Sequence, residues 1–463
     1  MSARCERPVA PILVRRPGPG TPVTVLGLAR SGAAAARYLL QLGCAVRVTE
    51  RTRSAAIEKA AQELEAAGAL VEVGGHSPEF VEGSQLMVLS PGAPMSAPPV
   101  LWARRHGIPI VGELELGSWY CTGRLVAVTG SNGKSTVVSM LGRILQAAGQ
   151  EVIVCGNIGT PLCSVLDRIS PSTIVALEVS SFQLEPSLSF HTEIACVLNV
   201  TDNHLDRHGS FARYCAAKAR LFAYQGPQSW AVLNADDPGS LGLSGKVLGQ
   251  SAFFSRRRKV RGAFVRDGVL TLNLPPFSGP ICEIDSLPRR GVHHEENALA
   301  AACIAGLLGV APQGSGESIS SFEGLPHRQQ WVAQLRGVTF INDSKSTTVA
   351  SGIRAIQAAP GPVVLIAGGR DKGGDFRQLR PLAKKLRAAV LIGEDGPKIA
   401  GCLKGSVPVR RAGDLEEAVE TAFRMAQTGE CVLLSPMCTS FDMFRDFEHR
   451  GERFVEVVRT MVA

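Results

Sequence analysis

The chain has 463 residues, 45% hydrophobic and 19% charged, the composition of a soluble globular protein with several buried cores and, by length, about three domains. Its net charge of +8 and pI near 9.0 suit anionic small substrates and are too mild to argue for nucleic acid. The 12 cysteines form no CxxC pair and no His/Cys ligand spacing, so neither a zinc site nor a disulfide framework is indicated, and reduced thiols fit a cytoplasmic location.

No apolar stretch approaches the roughly 18 residues that span a bilayer. The start, MSARCERPVAPILVRRPGPGTP, has an apolar segment too short and proline-broken for a signal peptide and reads as a loose extension to Pro22. From Val23, VTVLGLARSGAAAARYLLQLGCAVRVTERT predicts strand, glycine turn, helix and strand. Gly27 and Gly32 bracket the turn, and Glu50 ends the second strand, where a dinucleotide fold sets an acid for a ribose hydroxyl. GLARSG is not GxGxxG, so the reading favours another nucleotide held through its phosphates over a nicotinamide, with an unliganded α/β domain as the plain alternative. Ser90, Pro91 and Gly92 follow the apolar strand 86–89 at a ligand-facing position. A turn-rich stretch and a helix then lead to a domain boundary at Gly112.

The segment LVAVTGSNGKSTVVSMLGRILQ, Leu125 to Gln146, predicts a phosphate loop. Gly130 and Gly133 let the backbone N–H groups of Ser131 and Asn132 turn inward, and the helix opened by Lys134, Ser135 and Thr136 presents its positive end. Lys134 adds a mobile cation, and the Ser135 hydroxyl can hold magnesium. The gap between the glycines is shorter than the usual four residues, so the motif alone is moderately specific.

A glycine turn at 155–159 follows, then a buried strand at 174–177 ending in Glu178, which reads either as a magnesium ligand or as a helix-cap carboxylate. Strand 194–200 ends in TDNHLD, which sets His204 between acids at a third strand terminus. The helical segment 210–224 carries Lys218, for which an exposed helix lysine is the plain expectation. WAVLNADDP is a strand with an acidic turn, and a β-rich insertion runs on to Pro288. Within it SRRRKV, from Ser255, is read as a solvated hairpin or loop and not a polyanion site. Asn297 opens an alanine-rich helix, and FEGLPHR closes the domain. Beyond Gln330, strands alternate with helices and each strand ends in a polar loop, which predicts a further doubly wound sheet.

In order, TGSNGKST, GNIG, LEVSSFQLE, LNVTDNHLDRH, YCAAKARLF, LNADD, NALAA, FEGLPHR, INDSKST, GGRDKGGDF and LLSPMCTSFDMFRDFEHRG resemble the motifs of the Mur ligase family of peptidoglycan synthesis, nearest to its D-glutamate-adding members. The resemblance covers the chain beyond the N-terminal extension. It implies an α/β protein of three domains: a Rossmann-like UDP-substrate domain with its extension (1–112), a central P-loop ATPase domain with a mainly parallel sheet (113–328) and a Rossmann-like amino-acid-binding domain (329–463). The implied activity is ATP-dependent ligation of D-glutamate to UDP-N-acetylmuramoyl-L-alanine through an acyl phosphate and a tetrahedral intermediate. A cytoplasmic monomer is expected, with ATP and two magnesium ions as cofactors and closure of the third domain on the other two.

By the same resemblance Lys134, His204 and Lys218 are catalytic. Ser135 and Glu178 hold one magnesium ion, and His204 the second with Lys218, which the family carries as a carbamate. A carbamate removes an electrostatic conflict, since an ammonium beside magnesium would be repelled. ATP contacts are Gly130 to Thr136, Asn297, Arg328 and Asp343. Arg30, Ser31, Glu50 and Ser90 match uridine-nucleotide contacts, and Asn157, Ser180 and Gln183 positions around the muramoyl group. Lys345, Thr347, Lys372, Ser440, Phe441 and Phe447 match D-glutamate contacts. Asn203, His294 and Thr348 depart from the family pattern, and no role is carried over to them. The rivals are another amino-acid-adding Mur ligase, disfavoured by the absence of DNPR, and a non-catalytic P-loop nucleotide switch, which leaves Glu178, His204 and the distal lysines without a common purpose.

Overall fold

The computed structural model describes residues 14–201, 205–288, 291–371 and 373–462. The chain divides into two compact units, Met1–Phe322 and Glu323–Ala463. Three α/β sheets are distributed over them, two in the first unit and one in the second. No helix among the described residues is long and apolar enough to cross a membrane.

The first sheet is built from β1 (Pro22–Leu26), β2 (Ala45–Glu50), β3 (Leu70–Val73), β4 (Leu86–Leu89) and β5 (Ile110–Gly112), in the order β3-β2-β1-β4-β5 and parallel throughout. The order reverses between β1 and β4, so their C-terminal ends open a crevice, the usual ligand position in such sheets. The alanines of helix Arg30–Gln41 are buried against the sheet, as the run AAAA predicts.

The second sheet comprises β6 (Arg124–Thr129), β7 (Val152–Gly156), β8 (Ile174–Glu178), β9 (Ile194–Val197), β10 (Trp230–Asn234), β11 (Gln250–Ser255), β12 (Gly262–Arg266), β13 (Val269–Leu274) and β14 (Phe277–Glu283). Their order is β14-β13-β12-β11-β10-β9-β6-β8-β7. β7 to β12 and β6 run parallel, and only β13 and β14 are antiparallel. β8 and β9 are buried along their whole length, as apolar runs covered on both faces should be. The expected β-rich insertion is therefore an extension of the central sheet.

The alanine-rich helix spans Val292–Leu307, starting five residues before Asn297, and packs on helix Lys134–Ala147. The basic run is a loop between two parallel strands, and so not a hairpin. Arg257, Arg258 and Lys259 are exposed, yet the run is not merely solvated. Arg256 Nε donates to Glu295 at 2.6 Å, Arg258 donates to the Ala235 carbonyl, and Arg261 lies over Trp230.

Helix Glu113–Tyr120 joins the two sheets and carries two buried acids absent from the sequence expectations. Glu115 accepts from Trp119, Ser189 N–H and the Ser189 hydroxyl. Glu113 accepts from Cys163 N–H at 2.8 Å, and burial pushes its carboxyl up to about 7.

The second unit has one sheet of β15 (Gln330–Leu335), β16 (Val338–Asn342), β17 (Val363–Gly368), β18 (Leu386–Ile392), β19 (Val409–Arg411) and β20 (Cys431–Leu434). The order is β15-β16-β20-β17-β18-β19, with only β15 antiparallel. Apolar residues fill both faces, one against helices Val349–Ala358 and Gly396–Leu403, the other against Leu415–Met425 and Phe447–Val462.

One close approach fixes the entry to the first crossover. A Cβ on Gly32 would lie 1.8 Å from the Gly27 carbonyl oxygen and 2.6 Å from Ser90 Oγ. Gly32→Ala is therefore expected to destabilise the fold by about 2 kcal/mol through forced separation of backbone segments. Thermal denaturation checks this, and an unchanged Tm contradicts it.

Candidate functional site

The central site lies at the C-terminal ends of β6 and β8. After β6 the chain turns through Gly130, Ser131, Asn132 and Gly133. Gly133 has φ +84°, in the left-handed region, and its missing Cβ matters as well, because one would fall 2.4 Å from Asn297 Oδ1. Asn297 therefore lies against the loop. Lys134 opens the helix, and its Nζ donates to Gly130 O at 2.8 Å and Ser131 O at 3.3 Å, which holds the ammonium at the loop. Thr136 follows, half-buried, in the first turn.

Ser135 and Glu178 are brought together directly. The Ser135 hydroxyl donates to Glu178 Oε2 at 2.5 Å, and Asn157 Nδ2 donates to Glu178 Oε1 at 2.7 Å. Both carboxylate oxygens are thus aimed by neighbours, and Glu178 is buried. Of the two readings left open for Glu178, a cap of the following helix is not what it does: Ser180 caps helix Ser181–Leu184.

Lys218 is not the exposed helix lysine of the plain expectation. It is 1% exposed, its Nζ donates to Thr129 Oγ1 at 3.2 Å and lies 4.7 Å from the Tyr214 ring centre. Burial, and then the nearby Lys134 charge, drive its pKa well below that of an ordinary lysine. The folded environment therefore disfavours its ammonium form.

Sequence reasoning assigned no role to three residues that shape this site. Tyr214, one helical turn before Lys218, shares a hydrogen bond of 3.0 Å with the Ser131 hydroxyl. Ser131 Oγ in turn donates to Thr201 O and accepts from Thr201 N–H. Asn199 accepts from Asn132 N–H at 2.9 Å and returns a bond to Asn132 O. Thr129 receives Lys218. The i, i+4 spacing of Tyr214 and Lys218 was the available signal; Asn199 and Thr129 had none beyond their positions near strand ends.

The positions matched to a uridine nucleotide gather at the crevice of the first sheet. Glu50 Oε2 accepts from Leu28 N–H at 2.8 Å, and Ser90 Oγ donates to Gly27 O at 3.2 Å, so both organise the turn after β1. Arg30 and Ser31 open the following helix, and Arg30 reaches Gly159 O of the GNIG turn at 3.1 Å. Ser180 and Gln183 form a reciprocal capping box, a structural employment the sequence reading did not foresee.

In the second unit, Asp343 opens the loop after β16, buried and held by Ser346, Ser435 and Gln329 N–H, with burial raising its pKa. Arg328 lies just before β15. Lys345 Nζ stands 5.0 Å from the Phe447 ring centre, and Thr347 lies two residues on. Ser440 is buried, while Phe441 is exposed. His204 and Lys372 lie outside the described residues. Among the described residues no three His, Cys, Asp or Glu side chains cluster as a metal site.

Residues 21–112 match the Mur ligase MurD-like N-terminal domain, 128–305 the Mur ligase middle domain and 327–438 the Mur ligase glutamate ligase domain. The chain belongs to the Mur ligase family. It is 42% identical to the UDP-N-acetylmuramoylalanine–D-glutamate ligase of Acidobacterium capsulatum, over 95% of this chain and 96% of that one. It is 40% identical to the ligase of the same name from Pelotomaculum thermopropionicum, over 95% and 97%. The fold is shared with UDP-N-acetylmuramate–alanine ligase of Thermotoga maritima (TM-score 0.56, 17% identity, 95% and 99% coverage). It is shared also with the MurF ligase of that organism in complex with ADP (TM-score 0.55, 16% identity, 90% and 94% coverage).

A buried lysine whose pKa is lowered on folding binds fewer protons in the native state, so its penalty is full at low pH and fades as pH rises toward the unfolded value. Lys218→Met should therefore raise Tm in carbon-dioxide-depleted buffer, with a gain that shrinks toward alkaline pH. Thermal melts across pH check this, and a Tm lowered at every pH contradicts it.

Proposed function

We propose that this protein is the ATP-dependent ligase that joins D-glutamate to UDP-N-acetylmuramoyl-L-alanine, in the assembly of peptidoglycan precursors. The observation that carries the reading is the convergence of Lys134, the Ser135–Glu178 pair and Lys218 beside the phosphate loop. The chain's identity to curated D-glutamate ligases over nearly its full length supports the choice of substrates.

An alanyl carboxylate and a triphosphate repel each other, so the site must neutralise charge before any bond forms. Lys134 and the N–H groups of residues 130–136 do this for the β- and γ-phosphates. A carboxylate oxygen attacks the γ-phosphorus, the bond to the bridging oxygen breaks, and ADP leaves an acyl phosphate behind. The amine of D-glutamate then adds to the carbonyl carbon. The tetrahedral intermediate collapses by expelling phosphate, and the amine proton is lost.

Magnesium fits the donors available: Ser135 and Glu178 present hard oxygens 2.5 Å apart at the helix start. When bound it supplies additional neutralisation of phosphate charge. A second ion is proposed at His204 and Lys218, with Lys218 as a carbamate. The lowered lysine pKa supports that modification, because only the neutral amine adds carbon dioxide. Asn297, Arg328 and Asp343 are proposed to complete the nucleotide site.

Arg30, Ser31, Glu50 and Ser90 are proposed to receive the uridine nucleotide, with Asn157, Ser180 and Gln183 toward the muramoyl group. Lys345, Thr347, Lys372, Ser440, Phe441 and Phe447 are proposed to receive D-glutamate, whose two carboxylates suit two lysines. The protein is proposed to work as a cytoplasmic monomer.

Phosphate release from ATP, measured with UDP-N-acetylmuramoyl-L-alanine and one amino acid at a time, tests the reading. D-glutamate should stimulate release, whereas L-glutamate and diaminopimelate should not; stimulation by another amino acid instead would assign a different ligase. Lys134→Ala should lower turnover by about a hundredfold or more, as expected on losing a preorganised cation at the phosphates. Near-normal turnover would refute that role.

A further inference from the structure

Among the described residues the largest fully buried side chain is an arginine that no site assignment uses. Arg450 lies in the first turns of helix Phe447–Val462 and is 1% exposed. Among the described residues it makes no ion pair with a carboxylate. Instead its guanidinium hydrogen-bonds to carbonyl and hydroxyl oxygens. Nε donates to Ser344 Oγ at 3.0 Å and Nη2 to Ser344 O at 2.9 Å. Nη1 donates to Cys438 O and Thr439 O, and Nη2 also to Cys438 O, each at 3.3 Å. These five contacts match the five N–H groups of a guanidinium.

Burying a cation without a counter-ion is unfavourable, and burial pushes this arginine down to about 10. Its acceptors are distributed in a way that gives the burial a purpose. Ser344 belongs to the loop after β16, immediately before Lys345. Cys438 and Thr439 belong to the loop after β20, immediately before Ser440 and Phe441. The helix that carries Arg450 begins at Phe447.

Secondary contacts close the same triangle. Ser344 Oγ donates to Phe447 O at 2.8 Å, and Asn342 Nδ2 donates to Gly451 O at 3.0 Å. Thr439 also pairs with Arg370 through bonds of 2.9 and 3.1 Å, which ties the loop after β17 to the same centre.

We propose that Arg450 is a positioning residue for D-glutamate: one guanidinium fastens the loop of Lys345 and Thr347, the loop of Ser440 and Phe441, and the helix start at Phe447 in a single mutual register. This rests on the reading that these residues receive the amino acid. Arg450 itself touches no substrate. A lysine cannot replace it, because one ammonium offers three donors from a single point where the fork reaches two separate strands of backbone.

The test is steady-state kinetics of the full chain with each of the three substrates varied in turn. Arg450→Lys is expected to raise KM for D-glutamate by about tenfold or more, while KM for ATP and for UDP-N-acetylmuramoyl-L-alanine stay within about threefold. Ser344→Ala removes one of the five hydrogen bonds and is expected to raise the D-glutamate KM by about threefold, which keeps the test decisive where the lysine variant does not fold. A D-glutamate KM within about twofold of wild type in the folded variant, or equal rises in all three KM values, overturns the proposal. Wild-type protein that shows no D-glutamate-dependent turnover overturns instead the functional reading beneath it.

Discussion

Two lysines approach one site, and burial together with the charge of Lys134 disfavours the ammonium form of Lys218. Lys134 is held at the loop by backbone carbonyls, where in the proposed mechanism its ammonium meets phosphate. Lys218 then bears the cost of burial and of its neighbour's charge, and its amine is driven toward neutrality. In the proposed mechanism that neutral amine is the starting material for a carbamate, formed when nitrogen adds to carbon dioxide and gives up a proton. The product is an anion with two oxygens, the opposite charge at the same position. A site that repels an ammonium thereby becomes one that attracts a cation.

The surrounding architecture keeps those groups in register. Glu178 leaves the end of a strand and Lys134 and Ser135 the first turn of a helix, while Lys218 stands in the last turn of its own helix, so each origin is fixed by regular structure and only the tip remains to be aimed. Glu178 is aimed by Ser135 and Asn157, and Asn132 by Asn199. Tyr214 links the phosphate loop to the helix of Lys218 through Ser131. In the second unit Arg450 does comparable work for loops that arise from separate strands.

What could be read from sequence was what depends on local chemistry. The phosphate loop was legible because glycine turns and a helix start are written in adjacent residues, and Glu178 because a carboxylate ending an apolar strand is conspicuous. The three sheets followed from strands alternating with helices. The parallel pairing of β11 with β12 was hidden, because the short connection resembles a hairpin in sequence. The start of the alanine-rich helix was missed because four of its first five residues, HHEE after Val292, are polar. Lys218 looked exposed on its own helix; its burial comes from β6, 89 residues away. Ser180 and Gln183 bond to each other, which a search for ligand contacts does not reveal. Arg450 was invisible for the same physical reason as Lys218: its partner Ser344 lies 106 residues earlier in the chain.

The most direct measurement is carbon-13 NMR of the protein in labelled bicarbonate. The account predicts one protein-bound carbonyl resonance, distinct from bicarbonate and dissolved carbon dioxide, that is missing from the Lys218→Met variant. No bound resonance in the wild-type protein, or one that persists when Lys218 is replaced, would contradict it.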